Sequence, residues 1–145
     1  MATDEATAMI TGGCLCGAVR YEAGGEPLFA GHCYCRDCQR VTGAGHSSFM
    51  GFGASAVKIA GETAAYAVVG DSGLPSVRRF CVVCGSQIFG EGEATPGILT
   101  IYAGSLDDPS QFRPQVAIYV RNRAAWDRPR DEVPEFDAAY PETAP

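Results

Sequence analysis

Seven cysteines stand in three tight groups along this 145-residue chain. Cys14 and Cys16 form a C-x-C, Cys33, Cys35 and Cys38 a C-x-C-x-x-C, and Cys81 and Cys84 a C-x-x-C. Spacings this short let thiolates converge on one metal ion. Zinc bound by cysteine is four-coordinate. A closed structural site uses four protein ligands, and a catalytic site uses three and leaves a position open. Seven thiolates therefore divide most economically into four plus three, two zinc ions per chain.

The doublets are the natural set of four. An extended C-x-C presents both side chains on one face, and a tight turn gathers the sulfurs of a C-x-x-C. Gly17 follows Cys16 and Gly85 follows Cys84, where a glycine can take φ > 0 and let the backbone wrap closely around an ion. Cys14, Cys16, Cys81 and Cys84 are thus expected to hold a structural zinc, and the long loop between them adds little closure cost. Cys33, Cys35 and Cys38 remain as a compact tripod for a second, catalytic zinc. His32 and His46 are the two histidines of the chain. His32, beside a ligand, reads as a supporting group rather than a ligand, and His46 fits solvent or a pocket wall equally. Arg36 and Arg40 flank the tripod, as surface arginines or as partners for its charge or for a substrate carboxylate.

Two plainer readings stay open. One is a single four-cysteine zinc with three spare thiols. The other is a disulfide framework, which requires an oxidising compartment and leaves one of seven thiols over. Residues 1–10 carry two acids, no Lys or Arg and no apolar core of a signal peptide, so the chain reads as cytoplasmic.

The elements that must position these cysteines are short. An apolar fraction of 46% with 19% charged residues is that of one ordinary globular domain, here taken as 8–137 with loose tails at 1–7 and 138–145. No apolar run approaches the ~18–20 residues of a membrane-spanning helix. The net charge of −6 argues against a nucleic-acid partner, and the basic stretch 113–130, interleaved with Asp127, reads as a solvated face. Strands are expected at 18–23, 28–31, 47–52, 57–60, 65–69, 77–80, 86–89, 98–103 and 116–120, with one or two helical turns over 36–42 ended by Gly43. Many short strands with turns between them predict an all-β domain. Phe49, Phe52, Phe80, Phe89, Tyr102 and Tyr119 fall on those strands and are expected in the core. Trp126 is read the same way, or as the edge of a pocket.

The ordered set G-G-C-L-C-G (12–17), H-C-Y-C-R-D-C-Q-R (32–40), T-G (42–43), F-C-V-V-C-G-S (80–86) and I-Y-V-R-N-R-A-A-W (118–126) resembles the glutathione-dependent formaldehyde-activating enzyme family, which also includes the domain of centromere protein V. The resemblance runs from about residue 10 to 136. It implies a β-tent fold of short antiparallel strands with zinc-ribbon-like elements. It implies a structural zinc on Cys14, Cys16, Cys81 and Cys84, and a catalytic zinc on Cys33, Cys35 and Cys38. The implied reaction is carbon–sulfur bond formation or cleavage between glutathione, or another small thiol, and an aldehyde such as formaldehyde. A non-catalytic zinc scaffold for a protein partner is the competing reading. A thiol redox enzyme like the B-type methionine sulfoxide reductases is a third, but it needs a cysteine standing apart from the metal-like groups, and none does.

Overall fold

Alternation of apolar and polar residues over short runs, broken by glycine, gives ten strands and one α-helix among the described residues. The computed structural model describes residues 9–130 and 132–141. The strands are β1 (Ile10–Gly13), β2 (Arg20–Ala23), β3 (Phe29–Cys33), β4 (Ser47–Gly53), β5 (Val57–Ala60), β6 (Thr63–Val69), β7 (Pro75–Cys81), β8 (Gln87–Gly92), β9 (Ile98–Tyr102) and β10 (Val116–Ile118). The helix, α1 (Arg36–Thr42), stops at Gly43, whose φ of 71° is the left-handed C-cap that glycine adopts without strain.

β1, β2 and β5 form a small antiparallel sheet. The other seven strands form a sheet in the order β10-β3-β4-β9-β8-β7-β6, antiparallel throughout except for the parallel pair β10–β3. The fold is all-β. Its core draws on both sheets: Tyr21 and Ala23 from β2 meet Met50 and Phe52 from β4, Ile88 and Phe89 from β8, and Leu99 and Ile101 from β9. The period-two pattern of β2, with Arg20 and Glu22 out and Tyr21 and Ala23 in, shows why. Burial of each Met, Phe, Ile or Leu side chain among these supplies about 1.5–3 kcal/mol.

Four expectations need correcting. β1 was not foreseen, because Ile10 is the only large apolar residue in Ile10–Gly13. Cys14 and Cys16 do not lie on a strand but on a turn after β1. Its hydrogen bond from Gly17 N–H to Cys14 C=O (3.2 Å) brings the sulfurs together instead. β10 ends at Ile118, and Tyr119 leaves it with φ 56°, ψ 36°. It is the one non-glycine residue with positive φ among those described, a conformation that costs a residue with a Cβ about 1–2 kcal/mol. Trp126 is 75% exposed rather than in the core, and Phe49, Phe80 and Tyr102 are half-buried, unlike Phe52 and Phe89.

Candidate metal centres and the cavity beside them

The first cluster joins two ends of the fold that are far apart in sequence. Cys14 and Cys16 come from the turn after β1, Cys81 ends β7, and Cys84 closes the turn that follows. Gly17 (φ 84°) and Gly85 (φ 77°) let each turn reverse tightly, and Gly85 N–H donates to Cys81 C=O at 2.9 Å. The four sulfurs lie within 4.8 Å of one another, with Cys14–Cys16 at 3.6 Å and Cys16–Cys81 at 3.8 Å. Tetrahedral zinc–thiolate geometry asks for sulfurs ~3.8 Å apart. None of the seven cysteines is disulfide-bonded. Backbone N–H groups point at the sulfurs, from Val19 to Cys14 (3.2 Å) and from Val83 to Cys81 (3.3 Å), as thiolate ligands require. Ser86 ties the two turns by accepting from Leu15 N–H (3.1 Å), and its hydroxyl and backbone bring the Cys84 thiol down to about 5.

The second cluster is local. Cys33 ends β3, Cys35 caps α1 by accepting from Cys38 N–H through its sulfur (3.3 Å), and Cys38 sits in the first helical turn. Their sulfurs also lie within 4.8 Å of one another. Hydrogen bonds from the Cys33 and Cys35 thiols bring Cys38 down to about 2, with help from Ser47 and the charge of Arg78. Hydrogen bonds with Cys35 and Cys38, together with burial, push Cys33 far up. Cys38 is thus the thiol of the cluster that ionises first.

Arg78 meets that charge. Its Nη2 lies 3.7 Å from the Cys38 sulfur, while its buried Nε and Nη1 have no hydrogen-bond acceptor among the described residues. A buried cationic side chain with two idle donors is costly in isolation. A metal on three thiolates carries a net charge of −1, which an adjacent guanidinium balances, so the donor set and its surroundings fit a thiolate-bound divalent ion. Tyr102 stands near the same group, its phenol pushed up to about 12 by burial.

Cys35 carries the tripod to the wall of a cavity of about 350 Å³, lined also by Asp71, Ser76, Arg78, Tyr119 and Arg121 among others. Arg121 and Asp71 pair across it at 2.7 Å. Arg36 also borders this cavity and donates to Gln39 Oε1, whereas the exposed Arg40 does not line it. Gln39 is a buried clamp: its Nε2 donates to the carbonyls of Tyr34 (2.7 Å) and Asn122 (2.9 Å). Through it, the helix bearing Cys38 is fixed to the segment bearing Tyr119.

His32 and His46 belong to neither cluster. His32 alternates with Cys33 along β3 and so projects to the other side of the sheet, where its Nδ1 meets Ser48 Oγ (2.9 Å). Its ring lies edge-on to His46, which pairs with Asp127 at 2.6 Å. In the basic stretch, Arg123 lies over the Tyr34 ring at 4.5 Å and pairs with Glu135.

With these sites in view, comparison with known proteins is direct. The family model for glutathione-dependent formaldehyde-activating enzymes matches residues 9–122. The chain belongs to that family. The matched span takes in all seven cysteines together with Arg78 and Tyr119. The crystal structure of a Rhodobacter sphaeroides protein, a structural-genomics target, superposes with a TM-score of 0.55 at 22% identity, over 86% of this chain and 98% of that one, and so shares its fold. No curated protein matches.

Within this formaldehyde-activating family member, Arg78, Gln39 and Tyr119 are the site residues that sequence reasoning missed. Arg78 had a faint signal: Ser76 and Arg78 share one face of β7 by period two, and both line the cavity. Tyr119 lies in the segment 118–126 that carries the family resemblance, but nothing there marks a tyrosine for the left-handed region, and it reads as a strand residue.

Proposed function

We propose that the chain is a zinc-dependent carbon–sulfur lyase that forms or cleaves the adduct of glutathione, or another small thiol, with an aldehyde such as formaldehyde. The observation that carries the reading is the pairing of a three-cysteine cluster with an adjoining cavity, beside a separate four-cysteine cluster. Zinc held by Cys33, Cys35 and Cys38 would supply thiol activation by favouring the thiolate. Arg78 holds counter-charge against Cys38. Arg36 and Arg121 at the cavity wall offer guanidinium groups to a substrate carboxylate. Cys14, Cys16, Cys81 and Cys84 serve a structural zinc. Every cysteine sits in a cluster, which counts against the thiol redox reading. No described helix is long and apolar enough to cross a membrane; a cytoplasmic setting suits both glutathione and seven reduced thiols.

The test is metal analysis of anaerobically purified protein with calorimetry of glutathione binding. Wild type should hold two zinc ions and release protons on binding thiol. Cys35→Ser should fold, hold one zinc and bind no thiol. One zinc in both proteins, without proton-linked thiol binding, leaves the scaffold reading instead.

A further inference from the structure

Tyr119 breaks the rules of its surroundings. The chain leaves β10 at Ile118, two residues short of the expected strand, and puts Tyr119 in the left-handed region, where an asparagine or glycine would sit with less strain. The strain is held by neighbours on every side. Tyr119 N–H donates to Ala138 C=O (3.1 Å), its own C=O accepts from Asn122 N–H (3.0 Å), and Val120 N–H donates to Phe136 C=O (3.0 Å). The result is a side chain that lines the tripod's cavity together with Cys35 and Arg78. Arg121 lies over its ring at 5.7 Å and is itself anchored by Asp71. Non-glycine residues forced into this region gather at functional sites.

The phenol is kept as a donor. Burial raises it above its ordinary value, as does the negative charge of Asp71. The charged groups facing it are Asp71 and Arg121, and Cys35 lines the same cavity. A phenol that keeps its proton in a cavity walled by a thiol cluster is suited to one task in carbon–sulfur chemistry, which is to meet the oxygen of the carbonyl partner.

We propose that Tyr119 is a catalytic hydrogen-bond and proton donor to the aldehyde oxygen, the atom that becomes the hydroxyl of the adduct. This rests on the lyase reading and adds a catalytic residue to it. In the forming direction the thiolate electron pair makes the C–S bond. The carbonyl π pair moves to oxygen, and the Tyr119 O–H proton is transferred to it. Tyr119 regains a proton from solvent, which has received the one lost by the thiol. Cleavage runs the same steps in reverse, with no change in oxidation state.

The experiment compares wild type with Tyr119→Phe, which removes one oxygen and keeps the ring. Zinc content and melting temperature should stay at wild-type values, and glutathione affinity should change less than about twofold. Turnover of glutathione with formaldehyde should fall by about 100-fold or more in kcat, within the range of a lost general acid. The preference for S-hydroxymethylglutathione over S-methylglutathione, read by competition binding, should disappear. Tyr119→Phe turnover within threefold of an active wild type, with that preference intact, overturns the role of Tyr119 alone. A wild type that neither binds thiol nor turns over any thiol–aldehyde pair overturns the lyase reading and this one with it.

Discussion

Replacing Gln39 by leucine should loosen the joint between the two walls of the cavity. Gln39 is 7% exposed, and its amide nitrogen is the donor for both the Tyr34 and the Asn122 carbonyls. Leucine fills nearly the same space and donates to neither. A buried carbonyl stripped of its partner costs about 1–3 kcal/mol. Tyr34 C=O, in the fully buried bond, falls towards the upper end, and Asn122 C=O, partly open to solvent, towards the lower. The expected loss is about 3 kcal/mol, which at about 3 °C per kcal/mol for a chain of this size is a fall of about 9 °C in melting temperature. Urea unfolding followed by circular dichroism, with zinc in excess throughout, should show a lower midpoint at unchanged m-value. Gln39→Glu is the sharper control, because it sets an oxygen against both carbonyls where a donor is needed. It should destabilise at least as much as leucine. A Gln39→Leu protein within about 0.5 kcal/mol of wild type, or a Gln39→Glu protein more stable than the leucine variant, would refute the clamp.

Two further outcomes follow from the first cluster and from the surface. Cys81→Ser should largely prevent folding: structural zinc contributes ~10–16 kcal/mol in small domains, against a net stability of ~5–15 kcal/mol. A soluble variant with wild-type melting temperature and zinc content would refute that role. Asp107 is held at about 2, against an ordinary 3.8, first by its hydrogen bond from Arg20 and then by that from Thr11. Its folded value is depressed, so its contribution to stability is present above about pH 4 and is lost as pH falls towards 2. The stability gap between wild type and Asp107→Asn should therefore close over that window in paired urea titrations. A gap that stays constant would show that the pair contributes nothing through ionisation.

The clusters were legible in the sequence because metal ligation leaves a discrete trace: identical side chains at fixed short spacings. The same holds for α1, whose end at Gly43 is written in one residue. The strands were legible where one face is buried, as in β2 and β9, and less so where glycine and threonine leave no alternation, as in β1. What was not legible is whatever depends on distant parts of the chain meeting. The turn around Cys14 replaces the expected extended strand because its sulfurs answer to Cys81 and Cys84, 65 or more residues away. Arg78 and Gln39 matter only because β7, α1 and the segment after β10 converge, and Tyr119 is set in place by carbonyls from the 134–138 region.

Gly70, Asp71, Ser72 and Leu74, at the tip of the β6–β7 hairpin, form one wall of the cavity. That tip contributes no metal ligand and ends in solvent, with Leu74 43% exposed. Lengthening such a loop costs little: each doubling of its length adds only ~0.6 kcal/mol of closure entropy. Arg78 and Cys81 lie three residues apart on opposite faces of β7, and an insertion between them would instead change that parity and move one of the two off the face it now occupies. A change of length is therefore cheapest at the hairpin tip. Under the proposed function, the choice of thiol adduct can be retuned there while the seven cysteines and the strand that carries Arg78 stay untouched.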